Sequence, residues 1–174
     1  MRALTISLLV ASLPAIAYAD TKSPEKLTVS SSAFDDNQPI PAEFTCDGTG
    51  NAPPISWSSV PDGTKSIAVM VEDPDAPKGT FLHWLVTDIP PTTMSLTGST
   101  TLPDGAVAAK NDKSTMGFAA PCPTNAAMHH YHFMVYALDK TITRPTSRTA
   151  FMTAIKGHVL AQGELIGTYK RTKS

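Results

Sequence analysis

The chain has 174 residues, 41% of them hydrophobic and 17% charged, with a formal net charge of −1. That length suits one domain whose core needs no metal to hold it. The charge excludes a strongly basic nucleic-acid binder, and the composition argues against collagen, coiled coil and disorder.

Residues 1–19 read as a signal peptide. Met1-Arg2 supplies a short positive start, 3–16 are largely apolar, and Pro14 breaks the run before Ala17-Tyr18-Ala19, a small-x-small cleavage site. The stretch is shorter than the roughly 20 residues of a membrane-crossing helix, and nothing similar follows, so no transmembrane segment is expected. The mature chain is expected to begin at Asp20 and to form one domain, 20–174. Export places Cys46 and Cys122 outside the reducing cytosol. They can join across 76 residues or remain two buried thiols, and the oxidising compartment favours the bond. No C-x-x-C spacing supports zinc.

Fifteen prolines against ten glycines point to a loop-rich, mostly β protein. Leu27, Val29 and Ser31 alternate with polar neighbours as an opening strand, and Ile55–Trp57 reads as a short one. Ser66–Asp73 is apolar and β-branched, a central strand that stops at Asp73-Pro74-Asp75-Ala76-Pro77 because proline cannot donate to a ladder. Phe81–Ile89 is the next strand, residues 106–110 a short one, and His129–Leu138 the longest. A helix is expected over 147–162, with Phe151, Met152, Ile155, Val159 and Leu160 near one face and Ser147 or Thr146 as cap. Residues 164–169 alternate as a closing strand.

Three places concentrate functional side chains. Asp73 precedes a proline, which holds it extended at a strand end. His83 falls, by strict alternation, on one face with Leu85 and Thr87, while Leu82, Trp84 and Val86 take the other. In the third, His129, Tyr131, Phe133 and Val135 share one face of their strand, opposite His130 and His132. The histidine pair lacks a third ligand, so no metal is expected. No motif calls for a cofactor or marks an activated serine: G-x-S-x-G, H-E-x-x-H, a Walker loop and G-x-G-x-x-G are all missing from the sequence. On these grounds alone, function stays at a small polar pocket.

Asp73-Pro74-Asp75-Ala76-Pro77, the His83 strand, Pro121-Cys122-Pro123 and His129-His130-Tyr131 together resemble the phosphatidylethanolamine-binding protein family, in its bacterial Raf-kinase-inhibitor-like branch. Phe44-Thr45-Cys46-Asp47-Gly48, the 51–57 stretch, Val135-Tyr136-Ala137-Leu138 and the ending from Gly157 to Tyr169 extend the resemblance over nearly all of the mature chain. It implies a β-sandwich-like fold, with a large antiparallel sheet on a smaller one and a helix near the C-terminus. It also implies an anion-accepting cavity walled by Asp73, His83, Pro121, His129 and Tyr131, with backbone from Ala119 and Ala120. Two departures stand out. Ala120 replaces the usual glycine, so its methyl would narrow the rim or forbid a positive φ, and Thr124 replaces a common proline.

Asp73 is expected to accept from His83, raising that imidazole's pKa toward the charged form. The reading is an exported, non-enzymatic binding protein, periplasmic in a Gram-negative host and secreted otherwise. Its ligand would be a small anion or phospholipid headgroup. The resemblance further implies modulation of a protein partner and a homodimer. The alternative is a hydrolase with an Asp73–His83 general base and His129 as acid.

Overall fold

The computed structural model describes residues 23–98, 101–142 and 144–171. The expected signal peptide and the start at Asp20 lie outside them. In chain order the elements are β1 (Glu25–Lys26), β2 (Val29–Ser30), β3 (Gln38–Pro39), β4 (Ile55–Trp57), β5 (Ser66–Asp73), β6 (Phe81–Ile89), β7 (Ser95–Leu96), β8 (Val107–Ala108), β9 (His129–Leu138), α1 (Arg148–Ile155) and β10 (Val159–Tyr169). Among the described residues no helix is long and apolar enough to cross a membrane.

Two sheets form. The larger has seven strands in the order β1-β10-β9-β5-β6-β8, with β3 also pairing β10; the smaller is β2-β4-β7. Its five main members run antiparallel, whereas the two-residue strands β1 and β3 lie parallel along β10. Ile55 and Trp57 of the small sheet pack with Val69, Val71, Trp84, Val86, Phe133 and Val135 of the large one. On the other face Met70, Leu82, Leu85 and Tyr136 pack with Phe151 and Ile155 of α1. Apolar partners on both faces explain why β5 is buried throughout.

Antiparallel pairing decides where the chemistry collects. Asp73 ends β5, Phe81–His83 begins β6 and His129–Tyr131 begins β9, so all three groups arrive at one end of the sheet. Pairings near that end include Asp73 with Phe81 and Glu72 with both Leu82 and His132.

Two expectations are corrected here. The first concerns His83. Val71 pairs with Trp84 but Glu72 with Leu82, a bulge that leaves His83 as the extra residue. Leu82 therefore joins Leu85 on the helix side, and His83 sits edge-on to Tyr131, ring centroids 5.1 Å apart, rather than sharing a face with Leu85 and Thr87. The second concerns the helix, which ends at Ile155 instead of running to 162. Gly157 turns the chain at φ +78°, and Val159 and Leu160 enter β10, where the β-ladder to β9 outweighs their helical spacing. The expected capping by Ser147 holds, with its side chain accepting from the Ala150 N–H.

Candidate functional site

Prolines Pro74 and Pro77 end β5 and turn the chain so that the Asp73 carboxylate stands at the sheet end. Its Oδ1 accepts the Asp75 N–H at 2.9 Å, an Asx-type turn, and its Oδ2 lies 2.7 Å from His129 Nδ1. The other ring nitrogen of His129 lies 3.2 Å from Asn125 Oδ1, an oxygen that also accepts the Ala127 N–H. Both His129 nitrogens thus face oxygen acceptors.

His83 takes a different partner from the one expected. Its Nδ1 lies 2.6 Å from the Ala119 carbonyl, while the Ala119 N–H donates to the His83 carbonyl at 2.8 Å. A carbonyl only accepts, so Nδ1 carries the proton and, in the neutral ring, Nε2 keeps its lone pair. Burial pushes the His83 pKa down, outweighing the Ala119 carbonyl and the Asp73 charge, which pull it up. The expected Asp73–His83 pair with a raised pKa is therefore replaced by Asp73–His129 and a His83 held neutral by burial.

Tyr131 is fully buried, and its hydroxyl has no hydrogen-bond partner among the described residues. Burial first, then the Asp73 charge, raises its pKa far above the ordinary phenol range, so it stays a donor. Beside it opens a cavity of about 180 Å³ lined by Asp73, Pro77, Phe81, His83, Lys113, Ala120, Cys122, Pro123, Thr124 and Tyr131. Of the expected wall, Asp73, His83, Ala120 and Tyr131 reach the lining. Ala119, Pro121 and His129 do not: Ala119 clamps His83 through its backbone, Pro121 accepts the Cys46 N–H at 3.0 Å, and His129 backs Asp73. Ala120 is absent from the residues with positive φ, so its methyl sets the width of the rim without straining the backbone.

Sequence reading missed Lys113 and Phe81. Lys113 sits in a 111–115 turn that the Asn111 side chain ties together through the backbone N–H groups of Lys113 and Thr115. An Asn-Asp-Lys-Ser run marks such a turn, but nothing local says that it folds over a distant histidine. Cys46 and Cys122 are joined by a disulfide with Cα atoms 5.4 Å apart, fastening the 120–124 wall to the 42–48 turn. His130 and His132, read as a pair on one face, each take their own carboxylate, Asp75 and Glu164, at 2.7 and 2.6 Å.

Residues 30–170 match the family model for phosphatidylethanolamine-binding protein. The chain belongs to the phosphatidylethanolamine-binding protein family. It is 41% identical to a UPF0098 protein of Methanothermobacter thermautotrophicus over 145 residues, 80% of this chain and 95% of that one. A Mycobacterium tuberculosis protein named as a candidate lipoprotein is 38% identical over 149 residues, 84% of this chain and 73% of that one. Among solved structures, a phosphatidylethanolamine-binding protein homologue from Chlamydia trachomatis superposes with a TM-score of 0.78 at 34% identity, covering 84% of this chain and 99% of that one. Family membership agrees with the two-sheet architecture and with one α-helix among the described residues.

Proposed function

We propose that this member of the phosphatidylethanolamine-binding protein family is an exported, non-enzymatic binder of a small oxyanion, free or as a phospholipid headgroup, taken up at the Tyr131 cavity. The observation that carries the reading is the buried Tyr131 hydroxyl, without a partner among the described residues and set in the same wall as His83 and Lys113. A buried donor left unpaired costs about 1–3 kcal/mol, and a ligand oxygen would recover it. Lys113 contributes the positive charge, and Asp73 Oδ2 is engaged by His129 Nδ1 at 2.7 Å. Neutral His83 offers a lone pair at Nε2, so it either accepts a proton carried by the ligand or takes one from solvent as the anion enters. Affinity then rises as pH falls below the ordinary histidine range.

The disulfide, the A-x-A leader and the candidate-lipoprotein relative support export. The periplasm is the compartment in a Gram-negative host. Titration calorimetry with inorganic phosphate and with phosphorylethanolamine tests the reading at several pH values. Saturable binding that Tyr131→Phe weakens about two- to tenfold supports it; no binding by wild type at any pH overturns it. The same samples are assayed for ester and phosphoester turnover, and turnover lost in His83→Ala would favour an enzyme instead. A partner protein and a homodimer belong to the same reading; sizing chromatography at a single-chain mass would remove the dimer.

A further inference from the structure

We propose a second binding site on the helix side of the large sheet, for a small single-chain amphiphile with an anionic oxygen head. β6 and the short edge strand β8 meet there, with Thr87 paired to Val107, and the 144–146 segment leading into α1 closes one side. The groove between them holds about 620 Å³, within the roughly 300–1,000 Å³ of small-molecule sites. The Tyr131 cavity, at about 180 Å³, has room for a head group alone.

Three features specify the occupant. Val107, Ala109 and the Met116 side chain, which is 62% exposed, make an apolar wall left open to water. Lys110 and Arg144 bring two positive charges to the groove, and no carboxylate lines it; the nearby Asp88 carboxylate accepts the Ile142 N–H at 2.7 Å. Thr87 in the wall is fully buried, yet its hydroxyl has no hydrogen-bond partner among the described residues. An apolar chain covers the first feature, an anionic head answers the second, and a head-group oxygen accepts from the third. This site is independent of the oxyanion cavity.

The test follows the methionine methyls of the purified protein, carbon-13 labelled, by NMR during titration with sodium decanoate below its micelle-forming concentration. Met116 is the reporter, and exposed Met94 and Met128 are internal controls, because neither lines the groove. The expected result is saturable movement of Met116 alone. Arg144→Gln and Thr87→Val should each weaken it about two- to fivefold, and Tyr131→Phe should leave it unchanged. Decyl phosphate binding as well as decanoate confirms the shared head-group chemistry, and the tighter of the two names the source. Equal movement of all three methionines, equal binding of decyltrimethylammonium, unaltered affinity in both groove variants or loss in Tyr131→Phe would each overturn the assignment. Circular dichroism confirms that every variant is folded before titration.

Discussion

At Tyr131 a single oxygen is expected to act on stability and on the proposed binding in opposite directions. Its hydroxyl is buried and has no partner among the described residues, so Tyr131→Phe is expected to leave stability unchanged or to raise it by about 1 kcal/mol while lowering oxyanion affinity. Urea unfolding and calorimetry on the same samples check both halves; a fall in stability would mark the phenol as structural. His83 carries the pH dependence. Its folded pKa lies below the ordinary 6.5 because burial disfavours the charged ring. The unfolded chain therefore binds more protons between those two values, and stability falls as pH drops through that window. Denaturant midpoints from pH 7.5 to 5 should decrease, less steeply in His83→Gln; a flat wild-type profile would contradict the assignment. Asp73, His83 and Tyr131 were legible as site residues from their motifs. The partner of Asp73 was not, because the bulge at His83 has no mark in composition and breaks the alternation that a reader must assume.

Among the elements, β5, β6, β9 and the short β4 declare themselves, whereas β1, β3 and β7 stay silent and β10 shows only its second half. β5, β6 and β9 are apolar runs bounded by prolines or charged turns, so each was readable to within a residue. β1, β3 and β7 have two residues each, too few to show any period. In α1 the spacing of Val159 and Leu160 imitated a helical face, and Gly157 was the signal that should have stopped it. Two substitutions test these elements. Ser147→Ala removes the cap on an eight-residue helix and should cost about 1 kcal/mol, read as a shift in the urea midpoint. Gly163→Ala should be harsher, at about 1–3 kcal/mol, since its new Cβ would lie 2.3 Å from the Leu27 carbonyl oxygen, a backbone atom with little room to move. A neutral Gly163→Ala would mean that β1 does not lie against β10 as described.

Across the whole molecule, the Cys46–Cys122 bond joins segments 76 residues apart. In the chain-entropy picture it contributes about 4 kcal/mol by restricting the unfolded chain. It also holds one wall of the Tyr131 cavity, through Cys122 in the lining and the Cys46 N–H on the Pro121 carbonyl. Reduction is therefore expected to lower the melting temperature and weaken phosphate binding together, measured by thermal melts and calorimetry with and without a reductant. Unchanged affinity in the reduced but folded protein would show that the wall stands without the bond. The order of motifs along the chain made the architecture legible. The strand order was hidden, since it depends on pairings such as Val135 with both Val69 and Gly163.

The two small parallel strands along β10 work as guard rails. That eleven-residue strand pairs with β9 on one side, and on the other meets β1 at Ala161–Gln162 and β3 at Gly167–Thr168, with further backbone hydrogen bonds from Leu27, Asn37 and Ile40. A bare β edge invites another chain to add to it. Glu25 and Lys26 are therefore expected to shield part of that edge. A protease trimming past Lys26 would strip one rail and leave a sticky seam prone to polymerisation, so these two residues guard solubility.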